Sequence, residues 1–115
     1  MREQLRDPGR LSHILMAIDN VHNFLDGKSF DDFCSDKILF FALVKNLEII
    51  GEAANCITKE FRLQHPEVEW PVIIGMRHVL VHDYYNIDAK TAWQTAKENI
   101  PVLRPQIEAL LEQLK

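Results

Sequence analysis

The sequence predicts an all-α domain spanning residues 1–115, an antiparallel bundle of four to five helices. Apolar residues recur every three or four positions through most of the chain, which is typical of helices with a buried face. The chain has only four glycines and five prolines, and no sustained apolar–polar alternation of the kind that predicts β-strands. Its 115 residues are enough for one modest hydrophobic core.

The first helix is predicted from an apolar face that stops before a glycine. Gly27 comes after this face, as glycine commonly does where a helix ends. Ser29 and Asp32 then have the spacing of a capping box, with Asp in place of the usual Glu, which predicts one short turn of helix. The apolar face consists of Leu11, Ile14, Leu15, Ile18, Val21 and Leu25.

The longest predicted helix begins after Asp36, its expected N-cap, and runs to about Gln64, before Pro66. Its apolar residues form two stripes, whereas one buried face needs only one. The second stripe predicts that another subunit covers this helix, so we expect a homodimer. The first stripe is Phe40, Leu43, Val44, Leu47, Ile50, Ala54, Ile57 and Phe61; the second is Leu39, Ala42, Ile49, Ala53 and Cys56.

The second half of the chain predicts shorter helices separated by a turn. Pro71 suits the first position of a helix that contains "RHVLVHDYY". A turn is expected at residues 86–87, after which Asp88 caps the next helix. Pro101 is expected to kink or divide the helical stretch in which it lies, and Pro105 to open the last helix. That helix carries Ile107, Leu110, Leu111 and Leu114.

Charge and composition exclude several classes of protein. The formal net charge of −4 argues against a protein that coats nucleic acid through a broad basic surface, so any RNA contact must be local. The longest apolar run ends at Lys45, too early for a membrane span. The charged N-terminus shows no signal peptide. Cys34 and Cys56 are too far apart for a CxxC pair, and reduced thiols in the cytoplasm are the expectation.

The stretch "RHVLVHDYY", residues 77–85, is open to three interpretations. In the first, His82 is a general base and acid while Arg77 stabilises the charge of a phosphodiester-cleaving transition state. In the second, His78 and His82 chelate a metal ion, although Val79 stands where an HExxH motif has glutamate. In the third, the stretch is a solvated helix end. Arg77 and His82 lie about 140° apart on a helix, so either the helix loosens near His82 or a second copy supplies the missing neighbour.

The chain resembles the HepT-type toxins of the HEPN superfamily. The resemblance rests on the R-x4-H-x-Y pattern at Arg77, His82 and Tyr84 together with an upstream "NLEIIGEA". It extends over "LSHILMAIDNVHNFLDG", "FALVKNLEIIGEAA", "WPVIIGMRHVLVHDYY" and "AWQTAKENIPVL". The chain departs mildly at Lys45, where arginine is frequent in the family.

The resemblance implies a helical homodimer that cleaves RNA without metal, as the toxin of a type VII-like toxin–antitoxin system. Arg77 and His82 are then the catalytic residues, in a cleft between subunits, and no cofactor is required. The implied partner is an MntA-like nucleotidyltransferase antitoxin, which transfers AMP from ATP to Tyr84.

Other polar residues are weaker candidates. Asn46, Glu52, His78 and Asp83 are candidates for support of the cleft, while interface hydrogen bonds or solvated positions are the alternatives. Trp70 and Trp93 are predicted to anchor a core or an interface rather than to stack on bases. The alternative function is a non-catalytic subunit of a nucleotidyltransferase complex, in which Arg77 and His82 hold a nucleotide phosphate.

Overall fold

The computed structural model describes residues 7–75 and 88–114, and every regular element in these two ranges is helical. This confirms the predicted all-α fold. None of the described helices is long and apolar enough to cross a membrane. The elements are α1 (Asp7–Leu25), α2 (Phe30–Cys34), α3 (Lys37–Cys56), α4 (Lys59–Gln64), the first residues of α5 (70–75), α6 (Ala89–Gln94), a π-helical segment (Thr95–Asn99) and α7 (Ile100–Gln113).

The core lies where α1 packs against α3 and α7. Two hydrogen-bonded pairs show that α1 and α3 are antiparallel: Asp7 at the start of α1 contacts Thr58 beyond the end of α3, and Asn20 contacts Asn46. The apolar face predicted for α1 is the buried one, with Leu15 only half-buried. The fully buried side chains at this core are Leu11, Ile14, Ile18, Val21, Leu43, Leu47, Ile50, Ile107 and Leu110.

The predicted signals between α1 and α3 are confirmed. Gly27 has a positive φ of 74°, a conformation that glycine adopts without the steric cost of a Cβ. The Ser29 hydroxyl accepts a hydrogen bond from the Asp32 N–H, and the Asp32 carboxylate accepts one from the Ser29 N–H. The Asp36 carboxylate accepts the Leu39 N–H at 3.0 Å. These contacts cap the N-termini of the short helix α2 and of helix α3.

The long helix ends earlier than predicted. It stops at Cys56 rather than near Gln64, because Ile57 is extended (ψ 140°) and Thr58 N-caps a separate helix. The Thr58 hydroxyl accepts the Phe61 N–H at 3.2 Å. The Asp7 carboxylate in turn accepts the Thr58 N–H and hydroxyl, both at 2.8 Å. The Thr58 cap and its hydrogen bonds to Asp7 thus favour a break between α3 and α4 over one continuous helix.

The second apolar stripe of α3 is largely covered by the chain itself. Leu39 and Ala53 are buried, and Ala42 and Ile49 are half-buried, while Cys56 is exposed. The reason is the central position of α3, which contacts α1, α2 and α6. A second subunit is therefore not needed to explain this stripe, and the homodimer stays a prediction.

The last helices are joined more continuously than predicted. Asp88 caps α6, as expected. A π-type hydrogen bond from Ile100 N–H to Thr95 O comes next, just before Pro101, which has no N–H to donate. Pro101 thus marks a change of helix type. The prediction that Pro105 opens the last helix is wrong, because α7 begins at Ile100 and contains Pro105.

Both cysteines are free thiols in the structure. Cys34 and Cys56 are exposed, and neither forms a disulfide. This agrees with the expectation of reduced thiols.

Candidate active site

The residues of the predicted R-x4-H-x-Y site lie outside the described part of the structure. Arg77, His82 and Tyr84 belong to residues 76–87, as do the weaker candidates His78 and Asp83. Their predicted roles are therefore unchanged by the structure. The described residues include those that precede and follow this segment in the chain.

The N-terminal end of the segment is anchored by Trp70. Trp70 is buried, and its indole N–H donates to the His65 carbonyl at 2.9 Å. The Glu69 carbonyl accepts the N–H groups of Val72 and Ile73 at 3.1 and 3.2 Å, so helix α5 starts immediately after Glu69. The buried Trp70 confirms a core role for this tryptophan.

The loop before α5 is also held to neighbouring elements. The rings of Phe61 and His65 lie 4.4 Å apart, and His65 Nδ1 is 3.4 Å from Glu67 Oε2. The side-chain amide of Gln106, on α7, donates to the Glu67 carbonyl at 3.0 Å. The loop between α4 and α5, which precedes the motif in the sequence, thus contacts both α4 and α7.

The C-terminal end of the segment is a helix cap. Asp88 Oδ1 accepts the Lys90 N–H at 3.2 Å, and Asp88 Oδ2 accepts the Thr91 hydroxyl at 3.0 Å. Ala92, one turn later, is buried. In the sequence, motif residues 77–84 are therefore flanked on both sides by residues with defined contacts.

Asn46 is a structural polar residue of the α1–α3 seam in the described chain. It is only 7% exposed. Its carbonyl oxygen accepts a hydrogen bond from the Asn20 amide at 3.1 Å, and its own amide donates to the Ala42 carbonyl at 2.8 Å. Sequence reasoning missed Asn20, although it flanks the buried residues Ala17 and Val21 on α1. Support of a catalytic cleft by Asn46 stays a prediction, beside this observed structural role.

The structure does not bring Asn46 and Glu52 together. Positions six apart on a helix lie about 120° from each other, and Glu52 is exposed whereas Asn46 is buried. The Cys56 thiol donates to Glu52 Oε2 over 3.7 Å. The chain departs from the family pattern at Lys45. This lysine is largely exposed, and its Nζ lies 3.6 Å from Glu48 Oε1.

Comparison with known proteins decides the family. The sequence model of the HepT-like ribonuclease family matches residues 14–110. These residues include α1 from Ile14 onward, α3, the motif segment and most of α7. The chain belongs to the HepT-like ribonuclease family. Membership places this HepT-like protein among the ribonucleases.

Curated relatives agree with the family match over almost the full chain. A Caldanaerobacter subterraneus protein provisionally named an RNase is 40% identical over 91% of this chain and 94% of its own length. A Thermococcus cleftensis protein provisionally named ribonuclease HepT is 40% identical over 87% of this chain and 91% of its own length. A Methanocaldococcus jannaschii protein, also provisionally named an RNase, is 33% identical over 91% of this chain and 90% of its own length. No solved structure gives a significant match.

The Asn20–Asn46 pair of this HepT-like protein yields a stability prediction. Asn46→Ala should lower the free energy of unfolding by about 1–3 kcal/mol, because the Asn20 amide loses its acceptor in a part-buried seam. Urea denaturation measures the change, and Asn55→Ala, on the exposed side of α3, is the matched control. Asn20→Ala combined with Asn46→Ala should cost less than the sum of the single changes. Full additivity would show that the pair contributes no coupling.

Proposed function

We propose that this HepT-like protein is the endoribonuclease toxin of a toxin–antitoxin pair and that Arg77 and His82 cleave RNA. The observation that carries the proposal is the R-x4-H-x-Y pattern at Arg77, His82 and Tyr84, which falls inside the family match over residues 14–110. The provisional RNase names of the relatives support the same activity.

The chemistry requires only groups that this chain supplies. His82 takes the proton of a ribose 2′-OH, whose oxygen attacks the adjacent phosphorus while the bond to the 5′-oxygen of the next nucleotide breaks. The protonated His82 then gives a proton to the leaving oxygen, and the products are a 2′,3′-cyclic phosphate and a 5′-OH. Arg77 stabilises the negative charge that grows on the non-bridging oxygens. DNA does not react, because it lacks the internal nucleophile.

We infer that two copies of the chain form the cleft. If the segment is a continuous helix, Arg77 and His82 point about 140° apart, so a single copy places them poorly for one phosphate. A two-fold axis brings equivalent residues of both copies together. The RNA is then bound in a local cationic cleft, which is compatible with a net charge of −4.

We propose that an MntA-like nucleotidyltransferase antitoxin neutralises the enzyme at Tyr84. The phenolic oxygen attacks the α-phosphorus of ATP, the bond to pyrophosphate breaks, and the phenol proton passes to a base. Each attached AMP adds a purine nucleotide and a negative phosphodiester two residues from His82. Steric exclusion and charge repulsion then both oppose binding of an RNA phosphate.

His82→Ala and Arg77→Ala should each abolish RNA cleavage and leave the helical content unchanged. Loss of a general base or of a charge stabiliser typically reduces the rate by about 10²–10⁴-fold. Gel analysis of transfer and messenger RNA with EDTA present measures the activity, and His22→Ala, an exposed histidine on α1, is the control. A requirement for added zinc or magnesium would contradict the mechanism. Nucleotide binding without cleavage by the wild type would favour the non-catalytic alternative.

The intact protein should have twice the mass of one chain in solution at micromolar concentration. Two-copy assembly of the cleft is the physical reason, and light scattering after size-exclusion chromatography is the measurement. A monomeric mass in a sample with normal helicity would exclude the two-copy site.

Tyr84→Phe should escape neutralisation while it keeps most of the ribonuclease activity, because the change removes only the acceptor oxygen. Intact-mass spectrometry after incubation with the partner and ATP should show AMP-sized additions on the wild type and none on the variant. Tyr85→Phe is the matched control, since neighbouring helical side chains point about 100° apart. AMP on Tyr84→Phe, or none on the wild type, would remove Tyr84 from this role.

A further inference from the structure

We propose that this enzyme binds single-stranded RNA at a second surface, outside the motif segment. We call it the aromatic–lysine face; it lies around α2, the first turns of α3 and the π-helical segment. The inference rests on the proposed RNA cleavage, which makes RNA the substrate. The face is formed by Lys28, Phe30, Lys37, Ile38, Phe41 and Lys97.

A row of packed rings supports this face from below. The Phe41 ring lies 5.4 Å from Phe40, and Phe40 lies 5.7 Å from Phe33. Phe33 is 5.4 Å from Trp93, which is 5.8 Å from Phe30. Phe33 is fully buried, so the row connects the core to two solvent-exposed rings. Rings held in this way lose little further freedom when a base stacks on them.

The outer members of the face are unusually exposed for apolar side chains. Ile38 is 83% exposed, Phe41 65% and Phe30 37%. Ile38 and Phe41 are three positions apart on α3 and therefore share one side of the helix. Contiguous exposed apolar groups commonly mark binding surfaces. Single-stranded nucleic acids meet such surfaces because every base has a stacking face.

Three lysines surround the apolar groups. Lys97 Nζ lies 5.0 Å from the centre of the Trp93 ring. Lys28 and Lys37 line a shallow concavity beside Ile38. Within residues 7–75 and 88–114, none of these three lysines is in an ion pair. Their ammonium groups can contact phosphates, although Lys97 already lies over the Trp93 ring and the charge of Lys28 already acts on Asp32.

Two carboxylates of the same region, those of Asp32 and Asp36, are engaged by the backbone, whereas Asp31 on α2 is exposed. Asp32 accepts the Ser29 N–H at 3.0 Å, and hydrogen bonds from the Ser29 backbone and hydroxyl, with the charge of Lys28, lower the pKa of Asp32. Asp36 accepts the Leu39 N–H at 3.0 Å. Both carboxylates lie at helix N-termini, where the partial positive charge of the helix offsets theirs. They therefore oppose a polyanion less than their number suggests.

The combination favours RNA over a protein partner. Protein–protein interfaces are depleted in lysine at their centres, whereas stacking rings with neighbouring cations are the usual means of holding a single strand. An RNA strand bound at this face remains tethered to the enzyme while another part of it enters the motif cleft. The expected effect is a lower KM for long RNA with an unchanged kcat.

The test uses a labelled single-stranded DNA oligonucleotide, which is not cleaved, and fluorescence anisotropy with the intact protein. Phe41→Ala should weaken binding by about fivefold or more, since loss of one stacked base costs about 1–3 kcal/mol. Lys37→Gln should weaken binding and reduce the dependence of log K on log salt by about 0.7. Phe41→Trp should retain the affinity. Circular dichroism should be unchanged throughout, because Phe41 and Lys37 are exposed.

Matched controls lie on α4, beyond the other end of α3. Leu63→Ala and Lys59→Gln change an exposed leucine and an exposed lysine and should leave binding unchanged. With cleavable RNA, Phe41→Ala should raise KM for a long strand and leave cleavage of a dinucleotide unchanged.

Three results would overturn the proposal. The first is unchanged affinity of Phe41→Ala and Lys37→Gln, and the second is an equal loss in the α4 controls. The third is a change of mass on Phe41→Ala, which would identify the face as an interface between copies. Because the anisotropy assay needs no cleavage, the aromatic–lysine face and the catalytic proposal can fail separately.

Discussion

The antiparallel seam between α1 and α3 is the contact on which the rest of the bundle depends. Its two polar ties lie far apart along the helices: Asp7 with Thr58 near one end, and Asn20 with Asn46 toward the other. Apolar burial holds the helices together but is nearly indifferent to small shifts along the axis. The polar pairs are directional, and a shift would leave their donors and acceptors unsatisfied. They therefore fix which residues of α1 face which residues of α3.

The register of this seam determines where the chain turns toward the motif. Thr58 lies just beyond α3 and starts α4, and its cap is itself held by Asp7. The loop after α4 passes to the buried Trp70, whose indole bonds to the His65 carbonyl. The start of α5 is thus placed by a sequence of contacts that begins in the α1–α3 seam.

An acidic ribonuclease must attract RNA locally rather than through its whole surface. The proposed cleft would supply one such local site, and the proposed aromatic–lysine face would supply another, through lysines that form no ion pair within residues 7–75 and 88–114 and rings packed on the core. Capping of α2 and α3 by Asp32 and Asp36 matters here, since the carboxylates that shape these helices are compensated by backbone N–H groups. One set of local contacts thereby serves both the fold and the electrostatics.

The sequence by itself determined the features that depend on neighbouring residues. The helix periodicity of α1, the glycine at residue 27, the Ser29–Asp32 box and the caps at Asp36 and Asp88 were all predictable, because each involves residues at most a few positions apart. The R-x4-H-x-Y pattern together with the upstream "NLEIIGEA" likewise indicated the family without any structure. The positions of its side chains belong to residues 76–87, and their arrangement could not be predicted from spacing alone.

Only the tertiary structure decided features that depend on distant partners. The Thr58 cap that follows the break at Ile57 is hydrogen-bonded to Asp7, and the buried Asn46 is hydrogen-bonded to Asn20; neither partner is near in sequence. The second stripe of α3 was assigned to another subunit because the sequence does not state how many neighbours a helix has within its own chain. Pro105 was expected to open a helix, yet α7 begins earlier, where Pro101 comes after a π-type turn. In each case a long-range contact or an alternative hydrogen-bond pattern outweighed a local preference.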